Sequence, residues 1–192
     1  MEAPTTRGRR LLNGCLVALG VALVAVALLA GGFWWSLERR KKQAILDEER
    51  YSAVCDTISA ITEHPAVSFS GFTKAELCQL TFYLIRNGKV LKDTVVHCPP
   101  HDKLYEFNVP LAFVSFQKTD TVVVATTGKD QRFYQISGFH HYAYLHYGML
   151  GYVGSHDCRF AEGAYTVNGR QYRDFLRKED GLPALTLPAH RK

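Results

Sequence analysis

The stretch of residues 11–37, LLNGCLVALGVALVAVALLAGGFWWSL, decides the organisation of this chain because it holds no charged residue. At ~1.5 Å of rise per residue, a helix of this length reaches ~40 Å, enough to cross a hydrocarbon core of ~30 Å with some tilt. Trp34 and Trp35 close the stretch, where an indole ring can lie in the acyl boundary and keep its N–H hydrated. The pattern predicts a transmembrane helix over residues 11–37.

A cleaved secretory signal is the alternative for the same stretch. Ala25-Val26-Ala27 has the small residues of a cleavage site. These residues lie inside the apolar run, however, and the run is longer than the usual signal core of about 7–15 residues. The sequence therefore favours an uncleaved signal anchor.

Basic residues flank the predicted span and account for the formal net charge of +5. Three arginines lie in the basic segment 1–10, and the run 39–42 follows the span. The remainder of the chain is close to neutral, which excludes the basic stripe expected of a nucleic-acid-binding protein. The expected partner of the flanks is the lipid bilayer. The residues predicted to lie at the membrane interface are Trp34, Trp35, Arg39 and Arg40.

Two indications disagree about the side of the membrane on which the domain lies. Lys and Arg are more numerous after the span than before it, which favours a cytoplasmic domain. The domain also holds an even number of widely spaced cysteines without a C-x-x-C pair, which favours two disulfides in an oxidising compartment. These disulfide candidates are Cys55, Cys78, Cys98 and Cys158, and they allow three connectivities. We expect a periplasmic or other extracytoplasmic domain, tethered to a membrane of the bacterial inner-membrane type.

Two helices are predicted before the strand-rich part. Apolar residues recur at helical spacing after the span, which predicts a stalk helix over residues 38–64 that ends at His64-Pro65. Thr73 and Glu76 have the spacing of a capping box, which predicts a second helix ending at Asn87-Gly88. A strand starting at Leu80 is the alternative there, because Thr, Phe, Tyr and Ile follow.

The rest of the globular segment 65–192 is predicted to be mainly strands in an antiparallel sheet, which makes the fold class α+β. A short helix is predicted over residues 170–178, and the tail after residue 181 is expected to be irregular. The predicted strands cover residues 90–97, 105–109, 111–116, 121–126, 132–137, 142–147 and 164–167.

Histidines and tyrosines in the last third are the candidates for chemistry. His140, His146 and His156 could supply three donors to a metal ion, although their spacing matches no known zinc motif. A binding surface is the second hypothesis, because tyrosine gives amphipathic contact area at low entropy cost. Its candidate residues are Tyr142, Tyr144 and Tyr147. For the same run the sequence favours a structural role in a central strand over this binding surface.

Catalytic patterns are absent from the sequence. It contains no G-x-S-x-G elbow, no H-E-x-x-H and no P-loop, so no catalytic residue is predicted and no cofactor is expected. The sequence favours an envelope accessory or assembly protein whose domain binds a protein partner or a small ligand. A membrane-tethered metal-binding protein or enzyme that uses the histidines is the alternative.

Overall fold

The structure, a computed structural model, describes residues 6–97, 107–172 and 175–189. The chain divides into two compact units. The described part of Met1–Glu49 forms the first together with Leu145–Asp157, and we call it the helix unit. Arg50–Tyr144 and Cys158–Lys192 form the second, which we call the globular unit.

The first helix, α1, spans Thr6–Cys55 without interruption. Among the described residues it is the one helix that is long and apolar enough to cross a membrane. Its large apolar side chains between residues 16 and 29 are all more than half exposed. The predicted apolar helix is therefore confirmed, and its side chains in this range are not buried in a protein core.

The stalk helix is shorter than the sequence predicts, since α1 ends at Cys55 and not at His64. The Thr57 hydroxyl donates a hydrogen bond to the carbonyl of Val54 at 2.7 Å, which satisfies a carbonyl of the last turn. Beyond this point Ala60–Ile61 form strand β1, and the Ile61 side chain is fully buried in the core of the globular unit. Ile61, which continued the helical pattern in the sequence, therefore packs in the core of the globular unit and not on a helix.

A short helix and twelve further strands follow in the described residues. Helix α2 spans Lys74–Leu77, and a single 3-10 turn covers Lys178–Asp180. The strands are β2 Ala66–Ser70, β3 Gln79–Arg86, β4 Lys89–His97, β5 Phe107–Pro110, β6 Phe116–Gln117, β7 Thr121–Ala125, β8 Phe133–Ser137, β9 His141–Gly148, β10 Gly151–Phe160, β11 Thr166–Val167, β12 Arg170–Gln171 and β13 Leu176–Arg177.

These strands pair mostly in antiparallel fashion, which is consistent with the predicted α+β class. A six-stranded sheet has the order β12-β11-β8-β7-β3-β4. A three-stranded sheet has the order β13-β2-β5, in which β13 pairs in parallel with β2. Two further pairs are β1 with β6 and β9 with β10.

The predicted second helix is wrong beyond its first turn. Helix α2 ends at Leu77, although the capping pair is present and the Thr73 N–H donates to the Glu76 carboxylate at 2.8 Å. Strand β3 follows at once, with alternate side chains buried and hydrogen-bonded neighbours on both sides, β4 and β7. Asn87 and Gly88 have positive φ angles and form a two-residue hairpin turn, a type of turn that matches the twist of the paired strands. The alternative of a strand from Leu80 is confirmed.

Four other sequence predictions need correction or completion. Residues 111–116 are not a strand but a connection in which Leu111, Phe113 and Phe116 lie in the core while Val114 is exposed, and only Phe116 begins β6. The helix predicted over residues 170–178 is wrong in the described parts of that range, which contain β12, β13 and the first residue of the 3-10 turn. Strand β10 is missing from the predicted strands, because two glycines and several polar residues break its apolar pattern. The predicted strand 105–109 corresponds to β5 in its described part, and its first two residues lie outside the described residues.

The core of the globular unit joins side chains from its two larger sheets. Val122, Val123 and Val124 of β7 are fully buried, as expected of a strand covered on both faces. Aromatic rings fill much of the remaining volume, and Phe116 packs edge-to-face on Phe139 with ring centres 4.9 Å apart. The side chains of this core are therefore buried within the globular unit itself.

One ion pair with a fully buried carboxylate lies before β7. The Asp120 carboxylate is inaccessible to solvent and accepts two hydrogen bonds from the Arg86 guanidinium at 2.7 and 2.8 Å. It also accepts one from the backbone N–H of Gln117 at 2.8 Å. These three bonds fix the turn between β6 and β7 against the end of β3.

Candidate functional site

The predicted interface residues lie on α1, and its two tryptophans face outward. Trp34 and Trp35 are each more than half exposed, and the Arg39 guanidinium lies 5.7 Å from the ring centre of Trp35. Arg40 donates a hydrogen bond to the backbone carbonyl of Tyr152 at 3.4 Å, within the helix unit. Aromatic rings beside basic groups are typical of a membrane–water boundary.

The pairing of the four cysteines of the domain is described in part. Cys55 and Cys158 form a disulfide with a Cα–Cα distance of 5.2 Å, across a sequence separation of 103 residues. Cys78 is exposed and carries a free thiol in the described structure, whereas Cys98 lies outside the described residues. Of the three connectivities, the one compatible with this bond joins Cys78 to Cys98, and this second disulfide stays a prediction. Gln79 and His97, each adjacent to one of these cysteines in the sequence, are paired in register across β3 and β4.

The histidines predicted to bind metal lie on different elements. His140 precedes β9, and its Nδ1 lies 3.2 Å from the carbonyl of Gly138. His146 lies on β9, and its Nε2 is 2.8 Å from the Asp157 carboxylate on β10. His156 lies on β10 and is half-buried. A metal site made of these three histidines stays a prediction.

A fourth histidine, His141, takes a different role from its neighbours. Its side chain is buried in the globular unit, and its Nε2 lies 2.9 Å from the Glu63 carboxylate. Partial burial opposes ionisation of Glu63, but hydrogen bonds, above all that with His141, outweigh this effect and lower the pKa of the carboxyl. The pair ties β9 to the segment before β2 and is structural.

Two of the three tyrosines of the predicted binding surface, Tyr142 and Tyr144, follow the alternation of β9, whereas Tyr147 lies on the other face, after the last of its buried residues. His141, Ala143 and Leu145 are buried, and the tyrosines between and after them are exposed. The Arg159 guanidinium lies 3.5 Å from the ring centre of Tyr144, in the globular unit. The Tyr147 ring centre lies 5.9 Å from that of Tyr152, in the helix unit. Exposure of Tyr142, Tyr144 and Tyr147 suits a contact surface, and their binding role stays a prediction.

The globular unit contains a pocket of about 840 Å³ beside β8. The β11–β12 hairpin forms one wall, and residues 175–182 form the other. Tyr134 and Leu176 are buried among its lining residues, and Tyr172 stacks on Tyr165 with ring centres 4.6 Å apart. This volume is in the range of sites for small ligands or short peptide segments.

Hydrogen bonds hold the two walls of this pocket in place. The Tyr134 hydroxyl donates to the carbonyl of Arg177 at 2.7 Å, and burial raises the pKa of this phenol. The Asn168 side chain accepts from the backbone N–H of Gln135 at 2.9 Å and donates to the carbonyl of Asp180 at 3.0 Å. Gly181 passes so close to Tyr134 that an added Cβ would lie 2.6 Å from its hydroxyl oxygen. The walls are therefore positioned by the fold itself.

The rim of the pocket carries charges of both signs. Arg170 and Arg177 contribute positive charge, and Glu179 and Asp180 contribute negative charge, with all four residues exposed. Such a rim favours a ligand that itself presents both charges, such as a peptide segment or a zwitterionic small molecule. No catalytic pair is recognisable among these lining residues.

This pocket is predicted neither by the comparisons with known proteins nor by the sequence. No protein-family model, no curated protein and no solved structure matches this chain. The sequence predicts a helix over much of the chain that forms the walls, so the pocket does not follow from it. One signal was present: Asn168-Gly169 is a typical turn of a two-residue hairpin, and both residues have positive φ angles here.

Proposed function

We propose that this chain is a single-pass membrane-anchored protein whose globular unit lies on the extracytoplasmic side and binds a protein partner or a small ligand, as an accessory or assembly factor of a bacterial-type envelope. The outward-facing apolar side chains of α1 support the anchor, because lipid is the solvent that suits them. The function is one of attachment and binding.

The Cys55–Cys158 disulfide is the observation that carries the assignment of the side. Thiols of cytosolic proteins are kept reduced, whereas exported domains retain such bonds. The greater number of basic residues after the span argues for the opposite side. We give the disulfide more weight, because the excess of basic residues after the span over those before it is small.

The pocket beside β8 is the proposed ligand site of the globular unit. Its volume admits a short peptide segment, its buried lining includes an aromatic ring and an aliphatic side chain, and its mixed rim can pair with charges of both signs. A peptide segment of a partner protein satisfies these conditions, and so does a small zwitterionic molecule.

Protease accessibility combined with non-reducing electrophoresis tests the side and the anchor together. We expect protease to digest the globular unit once the outer barrier is opened while the inner membrane stays intact, and the chain to run faster before reduction than after it. Carbonate washing should leave the chain with the membrane. A globular unit that resists protease until the inner membrane is broken, a chain that is reduced in cells, or release by carbonate would overturn the proposal.

Crosslinking and capture from solubilised membranes test the binding site. The variant Arg170→Glu/Arg177→Glu reverses the positive charge of the rim without touching the core. Lys89→Glu/Lys92→Glu is the matched control, since both lysines are exposed on β4, at the sheet edge opposite β12. We expect the rim variant to lose a partner or ligand that the control retains. Equal capture by both variants would exclude this pocket as the site.

A further inference from the structure

The β9–β10 hairpin has an exposed apolar tip, which belongs to the helix unit. Met149 and Leu150 form the two-residue connection between glycines, and Met149 is as exposed as a residue in an extended peptide. Tyr147 and Val153 on either side are also more than half exposed. Hairpin turns ordinarily contain Asn, Asp or Gly, so an apolar pair at this position indicates contact with something other than water.

Charge is absent from the same part of the hairpin. The stretch of residues 147–155, YGMLGYVGS, contains no acidic, basic or histidine side chain. A surface that meets a protein partner commonly includes charged residues at its rim, whereas a segment that enters a lipid interface is penalised for them. The composition of the tip favours lipid as its occupant.

Contacts of Tyr152 place this hairpin beside the part of α1 that follows the predicted span. Its backbone carbonyl accepts a hydrogen bond from Arg40 at 3.4 Å, and its hydroxyl donates to the buried Asp47 carboxylate at 2.9 Å. Arg40 lies five residues beyond Trp35, which corresponds to ~8 Å along a helix. Tyr152 is thus held close to the aromatic end of the apolar stretch.

The distance from Tyr152 to the tip is short. Leu150 and Met149 precede Tyr152 by two and three residues, so they lie within ~10 Å of it at ~3.3 Å per residue of strand. The polar layer on each face of a bilayer is ~5–8 Å deep. The tip is therefore within reach of the headgroup layer that surrounds Trp34 and Trp35.

We propose that the hairpin tip is a second membrane contact, in which Met149 and Leu150 enter the interfacial layer of the bilayer that α1 crosses. This inference rests on the proposed membrane anchoring. Tyr147 has the amphipathic ring typical of that layer, and the basic run 39–42 on α1 supplies partners for lipid phosphates. The proposed partner of the tip is the boundary between lipid headgroups and acyl chains, so that the chain contacts the bilayer at two places, α1 and the hairpin tip.

Fluorescence quenching by brominated phospholipids tests this contact in the full chain reconstituted into vesicles of phosphatidylcholine and phosphatidylglycerol. The wild-type chain, with Trp34 and Trp35 as its two tryptophans, reports on the anchor. The variant Met149→Trp, made with Trp34→Phe and Trp35→Phe, reports on the tip. Val114→Trp in the same background is the control, because Val114 is exposed and apolar but belongs to the globular unit.

We expect bromolipids to quench the wild-type chain and the Met149→Trp variant, and the loss of fluorescence of the latter to exceed that of Val114→Trp several-fold. Quenching of the wild type without quenching of Met149→Trp would overturn the inference and leave the anchor intact. A wild-type chain that is unquenched and fails to float with the vesicles would overturn the anchor itself. A Met149→Trp signal that is unquenched in pure lipid but shielded from acrylamide in native membranes would assign the tip to a protein partner and also overturn the inference.

Discussion

The valines of helix α1 and those of strand β7 have opposite surroundings. The valines of β7 are fully buried, whereas those of α1 between residues 16 and 29 are more than half exposed. The helix satisfies its backbone hydrogen bonds internally and leaves its side chains to the solvent around it. The strand needs β3 and β8 as neighbours and is shielded by the protein itself. Under the proposed membrane anchoring, this difference means that the two units require two different solvents, lipid and water.

The largest expected effect comes from placing charge on the exposed apolar face of α1. Leu23→Arg with Val26→Arg should raise the free energy of the helix in lipid by about 6–8 kcal/mol, since each buried arginine costs about 3 kcal/mol and each lost aliphatic residue adds a little. We expect the chain to leave the membrane fraction on carbonate extraction and to stop floating with vesicles. This result would confirm that lipid is the solvent of this unit.

Ile45→Arg with Leu46→Arg is the matched control for that variant. Both residues are exposed on the same helix but lie beyond Trp35 and the basic run. We expect membrane association to be unchanged. Equal behaviour of the two variants would contradict the assignment of the span to residues 11–37.

The same contrast explains which parts of the fold the sequence predicts. An apolar helix is a local pattern, here the uncharged run of residues 11–37, so α1 is readable without knowledge of its neighbours. The segment of residues 77–85 follows a capping box that favours a helix, and it also contains the Thr, Phe, Tyr and Ile residues that favour a strand. Its state is decided by β4 and β7, which supply the hydrogen bonds of β3 from both sides. Non-local pairing is therefore where sequence reasoning failed.

The second largest effect should come from removing the Cys55–Cys158 bond. The bond joins residues 103 positions apart, for which the chain-entropy account gives about 4–5 kcal/mol. We expect Cys55→Ser/Cys158→Ser to lower the free energy of unfolding of the globular unit by this amount while membrane association is retained. Urea denaturation in detergent, followed by near-UV circular dichroism, measures the change.

Cys78→Ser is the control, because Cys78 is exposed and does not take part in this bond. If Cys78 is not in a disulfide, its substitution should change the free energy of unfolding only slightly. If the predicted second disulfide is present, the loss should be comparable to that of Cys55→Ser/Cys158→Ser. Peptide mapping without reduction decides between these cases by showing whether Cys78 is linked to Cys98. Failure to recover a peptide joined through Cys55 and Cys158 would contradict the structure directly.

The candidate sites were less predictable than the cysteines, for a related physical reason. An even number of cysteines constrains their pairing by chemistry alone. The pocket, in contrast, depends on Tyr134, Asn168 and Gly181 meeting from three segments, and each of these residue types is ordinary in isolation. The alternation along β9, again a local pattern, accounts for the exposure of Tyr142 and Tyr144 but not for that of Tyr147.

A smaller effect is expected from the Arg86–Asp120 ion pair of the globular unit. Asp120→Ala leaves the Arg86 guanidinium without its partner and the Gln117 N–H without its acceptor. Loss of one member of such a pair costs about 3 kcal/mol when the other member retains some access to water, as Arg86 does. We expect a lower denaturation midpoint, whereas Asp93→Ala at an exposed position of β4 should leave the midpoint unchanged. Equal midpoints for the two variants would show that Asp120 is not held as described.

The smallest expected effect is a pH dependence of stability, which we expect in the globular unit and not in the apolar stretch of α1. A hydrogen bond from Lys178, followed by that from the Thr73 N–H, lowers the pKa of Glu76 from 4.5 to about 2 in the globular unit. A carboxyl whose pKa is lowered on folding stabilises the fold above its unfolded value and loses this contribution as the pH falls. We therefore expect the denaturation midpoint of the globular unit to fall between pH 4.5 and about 2.

Two glutamate variants isolate this contribution. In Glu76→Gln this part of the pH dependence should disappear, whereas Glu162→Gln, at an exposed position, should keep it. Membrane association through α1 should not change over the same range, because its apolar stretch contains no titratable carboxyl. An identical pH profile for Glu76→Gln and the wild type would contradict the assigned role of Glu76, since the Lys178 ammonium would then stabilise the globular unit equally well beside a neutral amide.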